Sequence, residues 1–157
     1  MRKVLGIAAV FALMCSALVA QGTTAPTQQT QEQKDAKVIA EYKASTSIVA
    51  DHLSKMRALT DEEKKKSSDK TVQTKLDAYL TALTTFETKF KELGTAITAY
   101  ETAKDADKAK ARDAFSTAYA AAREAQNKVR VALDEARDAI YAVKQKTSPP
   151  SAPAPKS

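Results

Sequence analysis

The sequence predicts an all-α protein, an elongated antiparallel three-helix bundle with coiled-coil-like heptad packing and disordered termini. Three observations carry this. Apolar residues recur at helical spacing in three long segments, 31 of the 157 residues are alanine, and only three are glycine. Alanine favours helix while adding little core volume, so the 43% hydrophobic content describes helices better than a bulky core. So few glycines leave no means of making the frequent turns of a β-rich fold or a Gly-rich phosphate loop. A 28% charged fraction with a net charge of +6 suits a soluble domain rather than a nucleic-acid tail.

In the first segment Ile39, Tyr42, Thr46, Val49, Leu53 and Met56 recur at alternating steps of three and four, with Leu59 beside them. The second keeps the alternation throughout: Val72, Leu76, Tyr79, Leu83, Phe86, Phe90, Leu93, Ile97 and Tyr100. The third carries Phe115, Tyr119, Ala122, Gln126, Val129, Leu133, Ala136, Ile140 and Val143. Helices of about 25 to 40 residues would be roughly 38 to 60 Å long, and short connections make neighbours antiparallel.

The boundaries have chemical causes. Thr60 followed by Glu63 is a capping-box pattern, which predicts a separate short turn over Lys64 to Lys66. Ser67, Ser68 and Asp69 then cap the second helix, Asp105 or Asp107 the third, and Pro149 with Pro150 stops it.

The ends read differently. Residues 1–20 have the layout of a secretory signal peptide: Arg2 and Lys3, an apolar run from Val4 to Val19, then small residues at Ala20 and Gly22. Cleavage after residue 20 or 22 is compatible with the pattern. Lipidation at Cys15 is disfavoured by the bulky Met14 before it. Removal of the leader takes away the single cysteine and leaves 23 basic against 19 acidic residues, a balance of +4. The exported protein is then expected to fold without disulfides. Residues 21–33 read as a polar disordered linker, 34–147 as the bundle, and 148–157 as a Pro-rich disordered tail. The expected location is extracellular, or periplasmic in a bacterium, with no transmembrane anchor in the mature form.

Three stripes lie beside the seam positions. Thr74, Thr81, Thr88, Thr95 and Thr102 recur every seven residues on the outer side of the second helix, as a solvated face or a second contact surface. On the third helix Ala118, Ala125, Ala132 and Ala139 permit close approach. Arg123, Arg130 and Arg137 border the other side, and a turn near residues 104–108 would bring Glu87 close to Arg123. The arginines could instead form a strip for an anionic lipid or polysaccharide, but the carboxylates around them and the lack of interleaved aromatics argue against nucleic acid.

Catalytic chemistry is not indicated. His52, the only histidine, has no second histidine or nucleophile to work with and reads as an edge-of-core residue. Carboxylates cluster at Asp61, Glu62 and Glu63, at Asp105 and Asp107, and at Asp134, Glu135 and Asp138, without a Gly-centred calcium loop. Capping and solvated charge explain them better than a metal site. The sequence therefore predicts no enzyme, no cofactor and no defined metal ligands.

The stretch Ala58-Leu-Thr-Asp-Glu-Glu-Lys64, followed by Leu76-Asp-Ala-Tyr79, Leu83, Phe86 and Lys89-Phe90, resembles the nematode secreted SXP/RAL-2 family, the group with an Ani s 5-like cation-binding domain. The similarity spans roughly Leu53 to Leu93. Tyr79 stands where that family usually has Trp, the Gly-Gly turn after it is missing, and the third helix has no second Leu-Thr start. The resemblance implies an all-helical secreted protein with a proposed cation-binding domain and no established enzymatic role.

Two readings of function follow. One is a secreted interaction protein for an unidentified protein, host component or divalent cation. The other is a lipid-binding or membrane-surface bundle, whose helices offer their apolar stripes to acyl chains. A bacterial envelope protein or adhesin is a third variant.

Overall fold

The computed structural model describes residues 30–147. The expected signal peptide, the expected linker up to residue 29 and the expected Pro-rich tail lie outside the described residues. Three helices follow one another: α1 (Gln31–Lys66), α2 (Lys70–Thr102) and α3 (Asp105–Thr147). No strand occurs among the described residues. At 1.5 Å per residue the helices run about 50 to 65 Å. The connections are so short that consecutive helices must reverse direction, which makes an antiparallel three-helix bundle. No helix among the described residues is long and apolar enough to cross a membrane.

Three boundaries differ from expectation. α1 begins at Gln31, inside the stretch expected to be linker, because Thr30 and Gln33 form a reciprocal capping box. Thr30 Oγ1 accepts from the Gln33 amide at 3.3 Å, and Gln33 Oε1 accepts from the Thr30 amide at 3.0 Å. The pattern Thr60 to Glu63 is not a cap at all, and α1 runs unbroken to Lys66. Thr60 is buried in the helix and donates its hydroxyl to the Met56 carbonyl at 2.7 Å, the local outlet for a threonine inside a helix.

Asp69 caps α2 as expected, accepting from the amides of Thr71 and Val72 at 2.8 and 3.1 Å. Asp105 and Asp107 lie within the first turn of α3 rather than ahead of it, where their charge favours the positive helix end. Lys108 secures the other side of the turn. Its ammonium donates to the Tyr100 carbonyl at 2.7 Å and sits 4.3 Å from the Tyr100 ring centre, holding the end of α2.

The predicted seam positions build the core. At one end Val72 and Leu76 pack with Ala136; at the other, Leu93 and Ile97 pack with Phe115 and Ala122. Between them Tyr79, Leu83 and Phe86 meet Val49, Leu53 and Met56 of α1 and Ala125, Val129 and Leu133 of α3. The Tyr79 hydroxyl donates to the Met56 sulfur at 2.9 Å. Burial pushes its pKa well above the ordinary 10.0, so the phenol stays protonated as a neutral core group.

Ion pairs between helices record the register. α1 pairs with α2 through Lys43 to Glu101 and Arg57 to Glu87, each at 2.7 Å, and through Lys64 to Asp77. Lys75 of α2 reaches Glu135 of α3 at 2.8 Å. α1 and α3 are joined by Asp35, whose side chain is 6% exposed and which accepts from Arg112 Nε at 2.9 Å and from Gln31 Nε2 at 3.0 Å. This clamp satisfies a buried carboxylate that would otherwise be costly.

Candidate binding groove

The helices are not equally close. α2 and α3 lie against each other along their length, with Ala118, Ala125, Ala132 and Ala139 buried or half-buried at the seam. α1 rests on α2 and holds off from α3: no Cα of α1 comes within 8 Å of one in α3. Aromatic side chains fill the contact between α1 and α2. Tyr42 lies over Phe90 with ring centres 4.7 Å apart, and Phe90 lies 5.8 Å from Phe86.

Gly94 explains how Tyr42 fits. A Cβ at Gly94 would overlap the Tyr42 hydroxyl and approach its ring, so the glycine makes room for the phenol against the α2 backbone. A glycine inside a helix costs up to about 1 kcal/mol relative to alanine, and this close approach is its structural reason.

Between α1 and α3, with α2 as its floor, runs an apolar groove of about 220 Å³. Phe86, Phe90 and Leu93 form the floor; Ile48 and His52 stand on the α1 wall, Tyr119 and Arg123 on the α3 wall. Ile48 is 53% exposed, the most solvent-open large aliphatic side chain on α1. An engineered apolar cavity of ~150 Å³ already takes a benzene ring, so this volume suits one ring or one chain.

The polar groups on the walls are few. Arg123 has no carboxylate partner among the described residues and leans over the Tyr119 ring at 5.9 Å. Glu41 is paired along its own helix with Lys37 at 4.0 Å. His52 is half-buried, and its Nδ1 is buried without a hydrogen-bond partner. An orphaned ring nitrogen at a groove wall is an unfilled polar site.

The expected contact between Glu87 and Arg123 does not form. Glu87 faces α1 instead and takes Arg57 and Lys91, each at 2.7 Å. Those two hydrogen bonds, Lys91 first and Arg57 second, hold its pKa below the ordinary 4.5. Arg123 is left at the edge where α1 and α3 part. Of the other two arginines of the row, Arg130 is exposed and Arg137 pairs within α3, with Asp134 at 3.6 Å.

The threonine row is exposed as expected, but its hydroxyls are occupied. Thr74, Thr81, Thr88, Thr95 and Thr102 each donate to the carbonyl four residues back, at 2.8 to 3.3 Å. The carboxylate clusters disperse among local cations: Glu62 and Glu63 lie 3.8 Å from Lys66, Asp134 pairs with Arg137, and Glu135 with Lys75. Among the described residues no three metal-ligating side chains converge.

Sequence reasoning missed Gly94, the clamp between Asp35 and Arg112, and the standing-off of α1. The one legible signal was a glycine in mid-pattern, which marks close packing when a helix tolerates it. Leu76, Tyr79, Leu83 and Phe86, which carry the SXP/RAL-2 resemblance, are buried seam residues, so packing alone accounts for their spacing. In comparisons with known proteins, no family model, no curated protein and no solved structure matches the chain. The fold is that of an all-α antiparallel three-helix bundle.

Proposed function

We propose that this protein is an exported, non-enzymatic binding protein that takes a small apolar ligand into the groove between α1 and α3. The observation that carries the reading is the groove itself. A bundle built only for stability would close this face, as it closes the seam between α2 and α3. Here the apolar floor of Phe86, Phe90 and Leu93 lies between walls held more than 8 Å apart at their Cα atoms. The leader-like residues 1–20 support export, and the few polar side chains on the walls favour binding over catalysis.

The neutral dye N-phenyl-1-naphthylamine tests it. Its fluorescence should rise on mixing with the protein, and the ring signals of His52, unambiguous because the chain has one histidine, should shift in the same titration. Ile48→Ser, at an exposed wall position, should weaken the dye several-fold with helicity unchanged by circular dichroism. Absence of both the fluorescence rise and the His52 shift would sink the reading.

A further inference from the structure

We infer that the ligand is a free, single-chain amphiphile with one anionic head group, its chain on the Phe86, Phe90 and Leu93 floor and its head on Arg123. The inference rests on the groove reading above and adds the chemistry of the occupant. The guanidinium of Arg123 on the α3 wall, without a carboxylate partner among the described residues, points to an anion. Glu41 is matched by Lys37 on its own helix, whereas Arg123 meets no carboxylate among the described residues. A guanidinium beside an apolar floor offers a planar fork that fits a carboxylate with two parallel hydrogen bonds. Arg123 is exposed at the groove edge, 5.9 Å from the ring centre of Tyr119 one turn before it, where a head group can stay partly in water.

The volume sets the tail. About 220 Å³ accommodates one medium-length chain rather than the paired chains of a membrane lipid. The site therefore fits a soluble monomer delivered from water. A flat bilayer would have to meet the lips of the groove, where Ile48 is the one large hydrophobic side chain of α1 that is exposed, Val38 and Val49 lying deeper on the same wall.

Displacement of N-phenyl-1-naphthylamine by decanoate, decanol and decylammonium at pH 7 decides the matter. Decanoate should displace the dye at about tenfold lower concentration than decanol, and decylammonium should be the weakest. Raising the salt from 20 mM to about 500 mM should shrink the acid's advantage, since an exposed ion pair is screened. Arg123→Gln should bring the ratio of acid to alcohol close to one, and Arg123→Lys should restore part of it, with circular dichroism checking that both variants fold. Equal displacement by acid and alcohol, with the dye still binding the native protein, would overturn this inference and leave the groove reading standing. No dye binding and no His52 shift would overturn both. Cosedimentation with phosphatidylglycerol vesicles without displacement by decanoate would also overturn it, in favour of a membrane surface.

Discussion

The seam between α2 and α3 and the face between α1 and α3 are built from the same kind of amphipathic helix, yet one is closed and the other open. Side-chain size at the contact makes the difference. Where Ala125 and Ala136 meet Leu and Val across the seam, backbones approach closely. Between α1 and α3, Ile48 and His52 face Tyr119 and Arg123 across the groove without filling it. The lesson is that heptad periodicity selects the buried face of a helix, and residue volume then sets how far away its neighbour stands.

Substitutions can break or sharpen this contrast. The largest effect is expected where the two regions share a residue. Phe86 is 5% exposed, packs in the central cluster and also floors the groove, so Phe86→Ala should cost about 3 to 5 kcal/mol in urea unfolding. A loss under about half a kcal/mol would place it outside the core.

Next comes the size test. Ala125→Leu overpacks the closed seam and should destabilise by about 1 to 3 kcal/mol, whereas Ile48→Ala on the open wall should stay within about 0.5 kcal/mol. Equal costs at the two sites would erase the distinction between closed and open faces.

A smaller effect is expected from the register pairs. Glu87 titrates below 4.5 in the folded protein, so its contribution to stability is present above that value and is lost as the pH falls through the lowered one. Glu87→Gln should flatten the acid limb of the stability curve below pH 4.5, relative to the native chain. Its side chain is 30% exposed, so screening limits the loss at pH 7 to about 1 kcal/mol or less. An unchanged acid limb would remove Arg57 to Glu87 as a link between α1 and α2.

The smallest effect belongs to the threonine row. Thr88 donates only to its own helix, so Thr88→Ala should be neutral or stabilising by a few tenths of a kcal/mol in thermal unfolding. A clear destabilisation would show that this face does more than meet water.

Much of the bundle was legible in residue order. The seam from Val72 to Ile97, the alanines of α3 and the Asp69 cap follow from local periodicity and hydrogen-bond chemistry, which act within a few residues. The Thr60 reading failed for a related reason: a cap and a buried helical threonine share one local signature, and only the neighbouring helix decides whether the chain stops or continues. The groove was not legible, because its lining residues Phe90 and Tyr42 sit at ordinary seam positions.

By itself the sequence determined three amphipathic helices, their inward faces and the antiparallel order that short connections impose. Tertiary structure decided the rest: that Gly94 admits the Tyr42 ring, that Glu87 takes Arg57 rather than Arg123, and that α1 stands off from α3. The physical reason is range. Periodicity encodes direction around a helix axis, but the distance between helices is set only when side chains of particular volume and charge meet across it.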